Sequence, residues 1–262
     1  MARIRPPAVA GAFYPEDPAE LAAMIDDYLA AADVAAPPPK ALIAPHAGYV
    51  YSGPVAAHAY APLRQRAGQI RRVVLLGPSH RVPFRGLAAP TADYFRTPLG
   101  DVPIDRAAIE RVLDLPQVSL RDDAHAWEHS LEVHLPFLQR VLGPTFSLVP
   151  LVVGDATYEE VQEVLDRLWD GDETLIVISS DLSHYHDYAT ARRMDTETSR
   201  AIESLQPYAI EYDQACGRIP VGGLLLAARE HGLSGRTLDL RNSGDTAGPK
   251  DQVVGYGAYA FV

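Results

Sequence analysis

Apolar residues along the chain fall into short continuous runs separated by stretches of helical pattern. Four runs, ALIAP at 41–45, RVVLLG at 72–77, FSLVPLVVG at 146–154 and TLIVISS at 174–180, show little polar alternation. Continuous apolar character marks strands covered on both faces, as in parallel sheets. Helical patterns lie between them at 105–113, 157–169 and 189–205, and a first helix is predicted over 18–31. Asp17 can cap that helix, Pro18 suits its first position and Glu20 completes a capping-box-like pattern. AADVAAPPPK then breaks it. The alternation predicts an α/β fold, a three-layer α/β/α sandwich around a largely parallel or mixed sheet. The segment 81–101 reads as irregular. With no fixed-period repeat, low-complexity tract or long linker, one domain is expected over residues 1–262.

Composition narrows the function classes. Thirty-four acidic residues against 23 basic ones give a net charge of -11, and no run of five Lys/Arg interrupts this. A nucleic-acid partner is therefore disfavoured. No segment approaches the roughly 18 apolar residues needed to span a bilayer, and MARIRPPAVAGAFYP has no apolar signal region. A cytoplasmic protein with no membrane partner is expected. The single cysteine, Cys216, excludes an internal disulfide and is a buried filler, a metal ligand or a reactive thiol.

Three of the apolar strands end alike. LIAPHAGY delivers His46 just after one, VVLLGPSH delivers His80 after another, and LIVISSDLSHYHDY delivers Asp181 and His184 after a third. Ligands of open α/β sheets bind beyond the carboxyl ends of strands, so three such deliveries point to one functional edge. A lone histidine is usually a hydrogen-bonded structural residue; the coincidence of three gives these weight. Asp181 alone also reads as a turn residue capping the strand end.

A further cluster, HAWEHSLEVHLPFL, holds His125, Glu128, His129, Glu132 and His134. It lacks the His-Glu-x-x-His spacing of metalloproteases, because His129 and His134 are five apart. His129 is read as a polar residue near a site and His134 as structural, with Pro136 arguing against a continuous helix. Cys216 stands before Gly217 and an apolar run expected to be helical from about Pro220, a junction where a thiol can be unusually acidic.

Taken together, RPPAVAGAFYP, APHAGYVYSG, GPSH, EHSLEVHLPFLQ, SSDLSHYHDY and ACGRIPVGGLL resemble the Memo family, also called the B component of the AmmeMemoRadiSam system. The resemblance covers nearly the whole chain. It implies a fold like that of the class III extradiol dioxygenases, which hold ferrous iron with two histidines and a glutamate. By motif, His46 and His80 fall where the family has its histidine ligands, and Cys216 stands where the dioxygenases present a carboxylate. A mononuclear metal is implied, Fe(II) foremost and copper or zinc as alternatives, since a thiolate suits softer ions. His184 matches the acid/base histidine, Asp181 would orient its ring, and His129 would be a further polar wall.

The implied function is a non-haem redox protein acting on a small molecule or peptide in the strand-end crevice. The system name implies an AMMECR-type protein and a radical SAM enzyme as partners. The rival is a non-catalytic peptide- or protein-binding adaptor on the same fold. In the C-terminal run, Asn242, Ser243 and Asp245 occupy a loop before an expected last strand and are further candidates for the pocket.

Overall fold

A computed structural model describes residues 2–32 and 36–262. Its strands are β1 (Ile4–Arg5), β2 (Ala41–Ala44), β3 (Arg72–Pro78), β4 (Leu87–Ala89), β5 (Tyr94–Thr97), β6 (Gly100–Pro103), β7 (Val118–Leu120), β8 (Ser147–Val153), β9 (Thr174–Ser179), β10 (His184–His186), β11 (Gly235–Asn242) and β12 (Val253–Phe261). The helices are α1 (Pro18–Ala31), α2 (Tyr49–Tyr60), α3 (Arg106–Glu110), α4 (Asp122–Ala126), α5 (Leu135–Leu142), α6 (Tyr158–Leu168), α7 (Tyr188–Glu203), α8 (Arg218–Glu230) and α9 (Ser243–Thr246).

The four continuous apolar runs are β2, β3, β8 and β9. They lie side by side in the order β2-β9-β3-β8, all parallel and almost wholly buried. Antiparallel strands flank this core. On one side β12 pairs with β2 and carries β10 and β11; on the other β4 pairs with β8 and carries β7. The sheet is therefore mixed. Helix α8 packs on β9, β3 and α6, whereas α2 packs on β2, β12, α1 and α5, which gives the α/β/α layering.

Local chemistry explains several boundaries. The Asp17 carboxylate accepts the N–H groups of Ala19 and Glu20, and α1 buries Leu21, Ile25 and Leu29 along one stripe. Thr157 and Glu160 form a reciprocal capping box that starts α6. The expected break in AADVAAPPPK runs through residues 33–35, which lie outside the described residues; α1 ends at Ala31.

One local expectation is corrected, and one helix left no sequence signal. Residues 81–101 are not irregular throughout: β4 joins the main sheet, and β5 pairs with β1 and β6 in a small separate sheet. Strands this short carry too few alternating positions to leave a pattern. Helix α2 escaped notice because it is buried nearly all round and contains Gly53 and Pro54, residues that read as breakers. Gly53 is there for contact: a Cβ would come within 2.5 Å of the Tyr28 ring on α1. No single α-helix runs through 131–138, as Pro136 led one to expect: a 3-10 turn covers Glu132–His134, and Pro136 sits in the first turn of α5, where its missing N–H costs nothing.

Parallel pairing sets the functional edge. Ile43 and Leu76 both pair with Ile178, so β2, β9 and β3 finish level with one another. The loops that follow bring His46, His80 and Asp181 to the same end of the sheet, and β10 begins there with His184.

Candidate metal centre

The ligand atoms of His46, His80 and Cys216 all lie within 4.8 Å of one another, and Cys216 Sγ is 3.4 Å from His46 Nε2. His46 and Cys216 approach from residues 170 apart in sequence, through β2 and the start of α8. Close packing makes this junction: Gly217 N–H donates to Ser180 Oγ at 3.0 Å, and a Cβ on Gly217 would fall 2.4 Å from the Ser179 carbonyl oxygen.

The hydrogen-bond network assigns each ring its tautomer. Ser179 donates its hydroxyl hydrogen to the Ser130 carbonyl at 2.6 Å, so its 2.6 Å contact with His46 Nδ1 has the imidazole as donor. His80 Nδ1 donates to the Glu128 carboxylate at 2.9 Å, and His184 Nδ1 donates to the Leu182 carbonyl at 2.8 Å. In its neutral form each of the three rings therefore carries its lone pair on Nε2. A ligating imidazole whose other nitrogen is held by oxygen is the usual arrangement around a bound metal.

Charge states follow from burial. His46 is held well below the ordinary histidine range, first by desolvation and then by the histidines around it. Neutral imidazole is thus its form near neutral pH. Burial, followed by the Asp181 charge, pushes the Cys216 thiol well up, so without a nearby cation it stays protonated. The Asp181 carboxyl is raised to about 6, again mainly by burial. Burial also opposes ionisation of Glu128, but hydrogen bonds and charge from His80, with further backbone N–H groups, hold it down at about 2.

Glu128 is the residue to which the sequence assigned no role. Its buried carboxylate accepts His80 N–H at 2.6 Å, His80 Nδ1 at 2.9 Å, His129 N–H at 2.9 Å and Ser130 N–H at 3.0 Å. The pattern EHS beside a candidate histidine was its only sequence signal. Ser179, at the end of β9, was missed likewise.

The remaining candidates take distinct places. Asp181 does not hold the His184 ring, which belongs to Leu182; its Oδ1 accepts the backbone N–H of His46 at 2.7 Å, and so fixes the loop after β2. His129 stacks on His80 at 4.7 Å between ring centroids and packs against Phe13 at 4.8 Å. Its buried Nδ1 lies 3.3 Å from Glu128 Oε1 without a well-formed hydrogen bond, and burial lowers the imidazole to about 4. His134 is structural, with Nδ1 against the Tyr60 hydroxyl at 2.6 Å. Asn242 and Asp245 form the capping box of α9, around Ser243, outside the cleft lining.

A cleft of about 840 Å³ opens over the cluster, a size suited to a small ligand. His80, His184 and Cys216 face it, whereas His46, Asp181 and His129 lie behind that surface. Its walls include Phe84, Tyr185 and Tyr212. Tyr185 has a φ of 61°, rare for a non-glycine residue, and sits where the β10–β12 register shifts. Such a conformation persists where neighbouring structure holds it, often at functional sites. No helix is long and apolar enough to cross a membrane among the described residues.

The family model for Memo-like proteins matches residues 5–260. A MEMO1 family protein of Aquifex aeolicus (strain VF5) is 38% identical over 270 residues, covering 99% of this chain and 100% of the relative. MEMO1 family proteins of Ignicoccus hospitalis and Aeropyrum pernix are each 38% identical, covering 98% of this chain and 98% and 99% of their own lengths. With its motifs in order along a match of this extent, the chain belongs to the Memo family.

Proposed function

We propose that this protein is a non-haem redox protein whose strand-end cleft holds one metal ion through His46, His80 and Cys216. The observation that carries the reading is the convergence of those three donors, with Nδ1 of both histidines already engaged. Fe(II) is the leading ion, with copper or zinc as alternatives, because two imidazoles and a thiolate suit all three. A bound ion would supply Lewis acidity and, as iron or copper, one-electron chemistry to a ligand beside it.

The protein's own residues would prepare that ligand. His184 faces the cleft with Nδ1 held by the Leu182 carbonyl, so in its neutral form Nε2 can take the proton of a hydroxyl on a catechol-like ligand. Asp181 and Glu128 hold the backbone N–H groups of His46 and His80, fixing both rings. The Cys216 proton, retained by burial in the free protein, would leave on metal binding, which couples uptake to proton release. A thiol ligand of this kind suits a reducing, cytoplasmic setting.

The test is anaerobic purification with elemental analysis of the wild type beside His46→Ala, His80→Ala and Cys216→Ser, each checked for folding by circular dichroism. One near-stoichiometric metal, lost in all three folded variants, supports the reading. A wild type that carries no metal and cannot be loaded with iron, copper or zinc sinks it.

A further inference from the structure

The cleft wall carries two arginines in opposite circumstances. Arg85 is neutralised, its Nη1 and Nη2 donating to the two carboxylate oxygens of Glu160 at 2.7 and 2.6 Å. Arg218, two residues beyond Cys216, has no carboxylate partner among the described residues. Its side-chain hydrogen bond runs from Nη1 to the Tyr158 hydroxyl at 2.7 Å. The guanidinium carbon lies 5.8 Å from the Tyr158 ring centroid and 5.7 Å from that of Tyr212.

The Tyr158 hydroxyl thus anchors one end of the Arg218 fork, with the exposed Tyr212 ring beside it, while most of its five N–H donors lack a protein acceptor. The nearby wall is otherwise largely apolar, with Phe84, Tyr185 and Ile219. The other fixed charges of the lining, Asp155 and Asp213, are exposed. A partly buried, immobilised cation costs desolvation unless an anion completes it, and a guanidinium fork matches a carboxylate bidentately.

We propose that Arg218 is the anion anchor of this cleft, and that the ligand is a small carboxylate with an aromatic or apolar body. The carboxylate pairs with the Arg218 fork, and the body lies along the aromatic wall. The inference rests on the cleft being a ligand site, as argued above, but not on the identity or presence of the metal.

The experiment therefore uses the full chain after metal removal, with benzoate and benzamide as probes differing in one charge, followed by ligand-observed NMR titration. Benzoate should bind at least about tenfold more tightly than benzamide, the difference expected of a charge-assisted pair. Arg218→Gln should abolish that preference, Arg218→Lys should keep only part of it, and Arg85→Gln should leave it intact. Equal binding of the two probes by wild type overturns the proposal, as does a preference that survives in folded Arg218→Gln. Should Arg218→Gln fail to fold, Arg218→Lys and Tyr212→Leu decide: the proposal requires the ratio to fall in both, and an unchanged ratio overturns it. Because metal is absent throughout, failure of the metal reading leaves this outcome untouched, and the converse holds.

Discussion

Replacing Glu128 by glutamine removes one charge from a buried carboxylate while keeping its shape. The carboxylate accepts four N–H groups, two of them from His80, and it is held at about 2 against an ordinary value of 4.5. A depression of that size corresponds to roughly 3 kcal/mol favouring the ionised form in the folded state. An amide has one accepting oxygen, so its NH2 must face a buried N–H donor and leave it unpaired. Glu128→Gln should therefore destabilise the metal-free protein by roughly 2–4 kcal/mol at pH 7. The sign in pH follows from the lowered value. Stability from the carboxylate is complete above its unfolded value, near 4.5, and is lost as pH falls toward 2. The gap between wild type and variant should narrow over that window, measured by urea denaturation down to the lowest pH at which both fold. Because the same carboxylate fixes the His80 ring, zinc affinity measured by chelator competition should fall by about 10–100-fold. Equal stability at pH 7 to within about 0.5 kcal/mol would refute the reasoning, since ordinary surface substitutions stay within that range.

Two further perturbations probe the frame of the site. Asp195 is buried, accepts Ser183 N–H at 3.0 Å and packs its carboxylate against Gly255; burial raises it to about 6. An acid raised in the folded state adds stability at low pH that is lost as pH climbs from its unfolded value of 3.8 through 6. Asp195→Asn should thus raise stability at pH 8 by up to about 2–3 kcal/mol and add little at pH 4. Thermal melts at the two pH values check this, and an equal shift at both contradicts it. Gly217→Ala sets a methyl group 2.4 Å from the Ser179 carbonyl and 2.6 Å from Ser180 Cβ, forcing the start of α8 and Cys216 away from β9. It should cost about 1–3 kcal/mol and weaken metal binding in the molecules that still fold; unchanged zinc affinity would show that Cys216 tolerates the shift.

The parallel heart of the fold was legible because its strands are buried on both faces, and burial leaves uninterrupted apolar runs such as 72–77 and 174–180. The same rule concealed α2: a helix covered nearly all round loses the polar stripe by which helices are recognised. The flanking strands β4 and β7, of three residues each, owe their pairing to distant partners rather than to local pattern, whereas β5 and β6 form a hairpin too short to leave one. Propensity cannot foresee such partners.

For the site, the sequence marked the donors and not what holds them. His46, His80 and His184 were visible because strand ends are places of known geometric meaning, and parallel register converts three sequence positions into one spatial edge. Cys216 was visible by its singularity and by resemblance. Glu128 was hidden because its function lies in backbone contact: a carboxylate that gathers four N–H groups has the same letter as one in solvent. Ser179 was hidden for the same reason, its hydroxyl merely ending a strand until the Ser130 carbonyl fixes which way the proton points. That direction decides which nitrogen of His46 remains free. The chemistry of the cluster therefore turns on residues whose identity carries no motif, and substitutions at Glu128 and Ser179 test it more sharply than removal of the donors. Those substitutions should alter the orientation and basicity of the candidate ligands while leaving the proposed ligand set itself complete.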